Sequence, residues 1–129
     1  MKKIVIILGL PGSGKTTLAK TKYSNYKLID DITINYNINY YDPNDKIVIT
    51  CPIAGTKSKK EILRKLKLWF GKSYITFIVY ENNYEQCIKN IESRNDGRNI
   101  SYKTLQFLSK RYNPYEFSRK ILNVYNKQL

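Results

Sequence analysis

The feature that most constrains the fold is a glycine-rich segment close to the N-terminus. Residues 9–16 read Gly-Leu-Pro-Gly-Ser-Gly-Lys-Thr, which matches a glycine, four free positions and then Gly-Lys-Thr. Glycines permit the backbone conformations that turn successive amides into a concave nest for phosphate oxygens. The segment lies between an apolar run at residues 3–8 and a helical pattern at residues 16–22, the context that a phosphate-binding loop requires. The sequence therefore predicts a nucleoside triphosphate site.

Each position in this segment has a predicted part in binding a triphosphate. The Lys15 ammonium is expected to reach the β- and γ-phosphates, and the Thr16 hydroxyl is expected to bind Mg²⁺. The helix that follows adds the partial positive charge of its N-terminus. ATP and Mg²⁺ are the predicted ligands, and the predicted nucleotide-binding residues are Gly9, Leu10, Pro11, Gly12, Ser13, Gly14, Lys15, Thr16 and Thr17.

Two other nucleotide-binding patterns fit this chain less well. A dinucleotide fold uses Gly-x-Gly-x-x-Gly and needs no Lys-Thr pair after the loop. A GTPase carries Asn-Lys-x-Asp to read guanine, whereas residues 126–129 read Asn-Lys-Gln-Leu and lack the aspartate. We therefore predict ATP rather than GTP.

The composition narrows the available chemistry. The 129 residues include no histidine, which excludes histidine triads, imidazole metal sites and histidine general bases. A proton acceptor must therefore come from the ten Asp and Glu residues or from the substrate. Cys51 and Cys87 lie on apolar segments without metal-ligand spacing, which predicts reduced core thiols. No apolar run has the length of a membrane span and no cleavage site follows the N-terminal run, so we expect a cytoplasmic protein without a membrane partner.

The net charge of +13 favours a polyanionic partner. Richness in Lys, Asn, Ile and Tyr is also typical of AT-rich coding sequence, as in some viruses and phages. The densest basic segment is a helix from Lys57 to Lys72, where seven positive residues accompany Glu61. It is either a solvated helix face or a contact for a nucleic-acid backbone. The tyrosines placed to stack on unpaired bases are Tyr36, Tyr40 and Tyr41.

Apolar runs of strand length alternate with helical patterns along the chain. This alternation predicts an α/β fold, a three-layer α/β/α sandwich with a parallel sheet of about five strands, as one domain over residues 1–129. Ser58, Asn83 and Ser101 are predicted to cap helices. Residues 32–45 fit either an edge ribbon or an ordered loop. The predicted strands span residues 3–8, 26–29, 46–50, 74–80 and 120–125, the last with a terminal helix as its alternative.

The sequence Gly-Leu-Pro-Gly-Ser-Gly-Lys-Thr-Thr near an N-terminus resembles that of the P-loop kinases of the polynucleotide-kinase and zeta-toxin group. That group places an aspartate just after the second strand, as Asp30 and Asp31 are placed here. It also carries lid arginines late in the chain, where Arg94 and Arg98 lie. The resemblance implies that Asp31 or Asp30 accepts the proton of the attacking hydroxyl, and that Asp31 supports Mg²⁺ beside Thr16. It also implies that Arg94 and Arg98 offset charge on the transferring phosphoryl group.

The sequence departs from that group where the acceptor binds. Polynucleotide kinases carry an arginine shortly after the aspartate, but residues 32–35 read Ile-Thr-Ile-Asn. The third strand ends at Thr50-Cys51-Pro52 rather than in an acidic residue. The first hypothesis is an ATP-dependent kinase whose acceptor is a nucleic-acid 5′-hydroxyl, a nucleoside or a nucleotide. The alternative is a nucleotide-dependent module that binds nucleic acid or protein with weak or no catalysis.

Overall fold

The computed structural model describes residues 2–30, 46–52, 58–94 and 101–126. Within these ranges strands alternate with helices, as predicted. The strands are β1 (Lys2–Gly9), β2 (Lys27–Asp30), β3 (Lys46–Pro52), β4 (Ser73–Tyr80) and β5 (Ile121–Leu122). The helices are α1 (Lys15–Lys22), α2 (Lys59–Phe70), α3 (Tyr84–Glu92) and α4 (Tyr102–Arg111), followed by a 3-10 turn at Pro114–Glu116.

The five strands form one parallel sheet in the order β2-β3-β1-β4-β5. β1 occupies the centre because its Ile- and Val-rich run is apolar on both faces, as a buried parallel strand requires. Its neighbours pair with it along most of its length, with Val5 beside Val48 of β3 and Thr76 of β4. The predicted α/β fold with a five-stranded parallel sheet is confirmed.

Alternate residues of β1 face opposite layers of helices. Ile4 and Ile6 belong to an apolar cluster that includes residues of α2, α3 and α4. Val5 and Ile7 belong to a second cluster, which contains Ala19 of α1. Helices therefore cover both faces of the sheet, and the predicted three-layer arrangement is confirmed.

Helices α2, α3 and α4 each begin after a residue whose side chain accepts a hydrogen bond from the amide three positions later. Such a cap stabilises a helix by about 1 kcal/mol. The capping residues are Ser58, Asn83 and Ser101, as predicted. α2 is the longest described helix, with 12 residues. None of the helices in the described ranges combines the length and apolar character needed to cross a bilayer.

β5 is shorter than the predicted strand over residues 120–125. It consists of Ile121–Leu122, which pair with Val79 and Tyr80 at the end of β4. Since β4 stops at Tyr80, the chain beyond β5 has no strand left to pair with. It continues instead along the segment that follows β1.

β1 and β4 are neighbours in the sheet, but their connections leave in opposite directions. From β1 the chain passes through α1 to β2, and from β4 it passes through α3 and α4 to β5 on the other side. The crevice at the carboxyl ends of two such strands is the usual ligand site of an open α/β sheet. Residues 9–16, called the glycine loop below, lie at this crevice.

Candidate functional site

The glycine loop connects the end of β1 to the start of α1 through a tight turn. The Ser13 amide donates a hydrogen bond of 3.1 Å to the Leu10 carbonyl, which closes the turn. Gly12 and Gly14 have φ angles of +85° and +105°. These values lie in the left-handed region, where a side chain adds strain and glycine does not. The glycines that the sequence singled out are thus required by the backbone path.

Lys15 places its ammonium beside the backbone of Gly9 and Leu10, a position called the neck of the loop below. Its Nζ atom donates hydrogen bonds of 3.0 Å to the carbonyls of Gly9 and Leu10. Only 7% of the residue is exposed. A buried cation needs anionic or dipolar partners because burial removes its hydration. The loop therefore holds a positive charge at its base.

Two carbonyls of the loop are held from outside by other parts of the fold. The Ser13 carbonyl accepts a hydrogen bond of 3.0 Å from the amide of Tyr125, which lies beyond β5. The Gly14 carbonyl accepts from the amide of Leu18 at 3.0 Å and from the Tyr80 hydroxyl at 3.5 Å. In a planar trans peptide the N–H points opposite to the carbonyl. Anchoring these carbonyls therefore fixes the directions of the next two amides.

Asn90 of α3 holds the neighbouring carbonyl. Its Nδ2 atom donates to the Gly12 carbonyl at 2.8 Å and to the Tyr125 carbonyl at 2.6 Å. Its Oδ1 atom accepts from Nε2 of Gln86 at 3.0 Å. One side chain thus joins the glycine loop, α3 and the segment after β5.

The loop is packed too tightly for side chains at its glycines. A Cβ atom on Gly12 would lie 2.7 Å from the Cys87 carbonyl oxygen and 2.9 Å from Cγ1 of Ile91. A Cβ atom on Gly14 would lie 2.9 Å from Cβ of Tyr125. The backbone of the loop therefore rests directly on α3 and on the segment after β5.

Ser13 is completely buried, and its hydroxyl has no hydrogen-bond partner in the part of the chain that the structure describes. Buried hydroxyls in native proteins are normally paired, and an unpaired one commonly marks a ligand or solvent position. This hydroxyl lies in the neck of the loop. Its hydrogen is therefore not donated to any of the described residues.

Cys87 lies behind the loop as a free, buried thiol, as predicted. Burial raises the pKa of Cys87 to about 11, because the thiolate would lose its hydration. The charges of Lys15 and Arg94 act to lower this pKa, and that of Glu81 acts to raise it. Both cations therefore act on the one thiol that lies behind the loop.

Comparison with known proteins gives one relationship that covers almost the whole chain. No family model matches the sequence. The chain is 32% identical over 126 residues to the uncharacterized protein R277 of Acanthamoeba polyphaga mimivirus, an alignment that covers 92% of this chain and 91% of R277.

The chain belongs to the family of R277.

In this member of the R277 family, the predicted site residues fall into two groups. Gly9 through Thr17 lie at the crevice, with Thr16 half-buried and Thr17 exposed at the start of α1. Arg94 is half-buried and follows α3, the helix that packs against Gly12. Asp30 ends β2, beside Thr50 of β3. Since β2 is two strands away from β1, the backbone of Asp30 lies about 10 Å to the side of the central strand.

Several predicted residues lie outside the described ranges. They are Asp31, Arg98, Lys57 and the tyrosines Tyr36, Tyr40 and Tyr41. Cys51 continues β3 beside Leu8, so the third strand does end without a carboxylate next to β1. In the described part of the chain, no three Cys, Asp or Glu residues are grouped so that they could hold a metal ion.

Sequence reasoning missed three residues that touch the loop: Asn90, Tyr125 and Tyr80. Asn90 had a usable signal, because it is a polar residue next to Ile91 and one helical turn after Cys87, on the inner side of α3. Tyr125 and Tyr80 had none. Their contacts depend on how β4 and β5 lie beside β1, which a local pattern does not encode.

Proposed function

We propose that this protein is an ATP-binding phosphotransferase that moves the γ-phosphoryl group to a hydroxyl acceptor. The observation that carries the proposal is the combination at the glycine loop of outward-anchored carbonyls and a buried ammonium. The carbonyls of Gly12, Ser13 and Gly14 are all bonded to groups outside the loop. The Lys15 ammonium remains at the neck.

This arrangement suits a polyphosphate for electrostatic reasons. The loop amides that point away from the anchored carbonyls supply partial positive charge, as does the N-terminus of α1. These charges belong to the backbone and are fixed in place. Lys15 supplies a full charge on a flexible stem, and the unpaired Ser13 hydroxyl supplies a further donor. The donor set therefore fits a phosphate chain rather than a neutral ligand.

Magnesium fits the same loop through the Thr16 hydroxyl. Mg²⁺ keeps several waters and is commonly bound by one or two protein oxygens together with substrate phosphates, so a preformed acidic cage is not needed. When bound, the ion would neutralise charge on the β- and γ-phosphates. Thr16 lies in the first turn of α1, directly after Lys15.

Transfer requires a base and a group that offsets charge on the phosphoryl oxygens. The acceptor oxygen bonds to the γ-phosphorus as the bond to the bridging oxygen breaks, ADP leaves, and Asp30 or Asp31 takes the hydroxyl proton. Arg94, shortly after α3, is the proposed cation for this role, together with Arg98 four positions later in the sequence. Nucleic-acid 5′-hydroxyls, nucleosides and nucleotides are the proposed acceptors, and a reducing cytoplasmic setting agrees with the free thiol of Cys87.

The test is ATP binding followed by transfer. Isothermal titration with Mg-ATP should give saturable binding to the wild type and a loss of at least about tenfold in Lys15→Ala. Lys20→Ala is the matched control, because Lys20 lies exposed on the same helix. Labelled ATP is then incubated with 5′-hydroxyl oligonucleotides, nucleosides and nucleotides. Equal ATP affinity in the wild type and Lys15→Ala would refute the binding site, and failure to label every acceptor would refute the kinase.

A nucleotide-dependent binding module is the second candidate. The absence of a carboxylate where β3 runs beside the end of β1, at Cys51, is the observation that favours it. In that case nucleotide occupancy would control affinity for nucleic acid or a protein. The exposed cations of α2, which are Lys60, Arg64 and Lys67, offer a surface for a phosphate backbone. This candidate predicts that Asp30→Ala combined with Asp31→Ala leaves function unchanged, while Lys15→Ala abolishes it.

A further inference from the structure

We propose that Asn90 is a positioning residue for the glycine loop. It sets nucleotide affinity by holding carbonyls of the loop in place, without contacting the nucleotide itself. The inference rests on the proposed function, since it concerns how tightly the loop binds a triphosphate. It adds a residue of α3 and a segment beyond β5 to the machinery of the site.

The hydrogen-bonding capacity of the Asn90 amide group is largely used. Nδ2 donates to the carbonyls of Gly12 and Tyr125, at 2.8 and 2.6 Å, and Oδ1 accepts from Gln86 at 3.0 Å. An amide nitrogen has two hydrogens to donate, so both are committed. The two carbonyl acceptors settle which end of the amide is the nitrogen, because an oxygen there would face two other oxygens.

Asn90 controls two successive peptides of the loop. It fixes the Gly12 carbonyl directly. It fixes the Ser13 carbonyl indirectly, because the Tyr125 residue whose amide donates to Ser13 is itself held by its carbonyl to Asn90. The amides of Ser13 and Gly14 point opposite to these carbonyls. The Ser13 amide donates to the Leu10 carbonyl, so the Gly14 amide is the donor whose direction depends most on Asn90. Loss of Asn90 would remove one of two restraints on the Gly12–Ser13 peptide and would loosen the Ser13–Gly14 peptide, and preorganised donors bind an anion better than mobile ones.

The rest of α3 does not depend on Asn90 for its position. The helix is capped by Asn83 and enters the core through Cys87, with Ile88 and Ile91 packed against it. Asn90 itself is polar and half-buried, and the apolar packing of α3 comes from its neighbours. Removing its amide should therefore disturb the loop far more than the helix.

Asn82 provides a matched control within the same chain. Its Nδ2 atom also donates to two backbone carbonyls, those of Ser109 at 2.6 Å and Tyr112 at 3.0 Å. Neither acceptor belongs to the glycine loop. Asn82→Ala and Asn90→Ala thus each delete two hydrogen bonds donated to backbone carbonyls, and only the second pair reaches the site. Asn90→Ala also deletes the bond accepted from Gln86, a loss that Gln86→Ala reproduces by itself.

The experiment compares wild type, Asn90→Ala and Asn82→Ala by thermal denaturation and by titration with Mg-ATP. We expect similar reductions in Tm for the two variants. ATP affinity should fall about tenfold or more in Asn90→Ala and stay within about twofold in Asn82→Ala. Gln86→Ala leaves both donated bonds in place and should weaken binding by less than Asn90→Ala.

The outcomes separate this inference from the proposed function. A wild type that binds no Mg-ATP refutes the proposed function. A wild type that binds, with Asn90→Ala and Asn82→Ala equal to it, refutes the role of Asn90 alone. Equal losses of affinity in both variants also refute it, because they indicate a general effect of destabilisation. If Asn90→Ala fails to fold, Asn90→Ser, which keeps one short donor, decides the question by the same comparison.

Discussion

The hydroxyl of Ser13 is packed against the α-carbon of Gly9. A Cβ atom on Gly9 would lie only 2.5 Å from Oγ of Ser13, and Tyr80 closes the other side of the same space. The start of the loop therefore approaches its middle closely, and the first glycine is needed for space rather than for a left-handed φ. The fully buried Ser13 hydroxyl has no partner among the described residues.

Ser13→Ala should raise the free energy of unfolding by about 1 kcal/mol, since it removes a buried unpaired polar group. The same substitution should weaken Mg-ATP binding, because the hydroxyl is a donor in the neck of the loop. Urea denaturation and titration calorimetry measure the two effects. Ser24→Ala, at an exposed position between α1 and β2, is the control and should change neither. A less stable Ser13→Ala would contradict the account of an unpaired hydroxyl.

Gly12→Ala should be markedly destabilising. Comparison with Gly71→Ala separates the cost of backbone strain from the cost of steric overlap. Gly71 has a φ of +69° with nothing within 4 Å of its Cβ position, so alanine there meets backbone strain alone, about 1–3 kcal/mol. Gly12 combines a positive φ with overlap against the Cys87 carbonyl, which should add about 1–3 kcal/mol. Chemical denaturation compares the two. Only Gly12→Ala should also lose ATP affinity. An equal loss in the free energy of unfolding for both variants would show that α3 shifts to accommodate the added methyl group.

Stability should decline as the pH rises from about 9 to about 11, in part through Cys87. The folded-state pKa is raised from 9.0 to about 11 by burial. Above pH 9 the unfolded chain releases the thiol proton while the folded chain retains it, so the contribution is complete below pH 9 and disappears toward pH 11. Denaturation in a Cys51→Ser background, with and without Cys87→Ala, isolates this component. Identical pH profiles for the two proteins would contradict it.

Arg94→Ala should reduce the rate of phosphoryl transfer more than it reduces ATP affinity. The guanidinium is proposed to offset charge that develops during transfer, and such groups affect kcat more than ground-state binding. Arg94→Lys keeps the charge but loses the planar fork, so partial activity is expected. Steady-state kinetics with the best acceptor gives the split between kcat and KM. A change confined to KM would assign Arg94 to binding instead.

The basic face of α2 should govern any nucleic-acid affinity. Combining Lys60→Ala, Arg64→Ala and Lys67→Ala should weaken oligonucleotide binding. The slope of log affinity against log salt concentration should also become shallower, by an amount equivalent to up to about three phosphate contacts. The control combines Lys20→Ala and Lys22→Ala, which remove two cations from the last turn of α1. Fluorescence anisotropy at several salt concentrations measures both. Equal effects of the two sets would indicate a nonspecific response to net charge.

Much of the secondary structure was predictable because its causes are local. The caps at Ser58, Asn83 and Ser101 and the buried run of β1 depend on residues within a few positions of each other. β5 was predicted too long for the opposite reason. Its length is set by where its partner β4 ends, at Tyr80, and that limit is imposed from elsewhere in the chain.

The sequence alone determined the glycine loop, because its glycines, Lys15 and Thr16 form one short pattern whose backbone requirements are intrinsic. It also determined the alternation of strands and helices. Only the tertiary structure decided what holds the loop in place. Asn90 lies 78 residues beyond Gly12 in the chain, and Tyr125 lies 35 residues beyond Asn90. Contacts at such separations depend on the order of strands in the sheet, which brings α3 and the end of β5 to the same crevice.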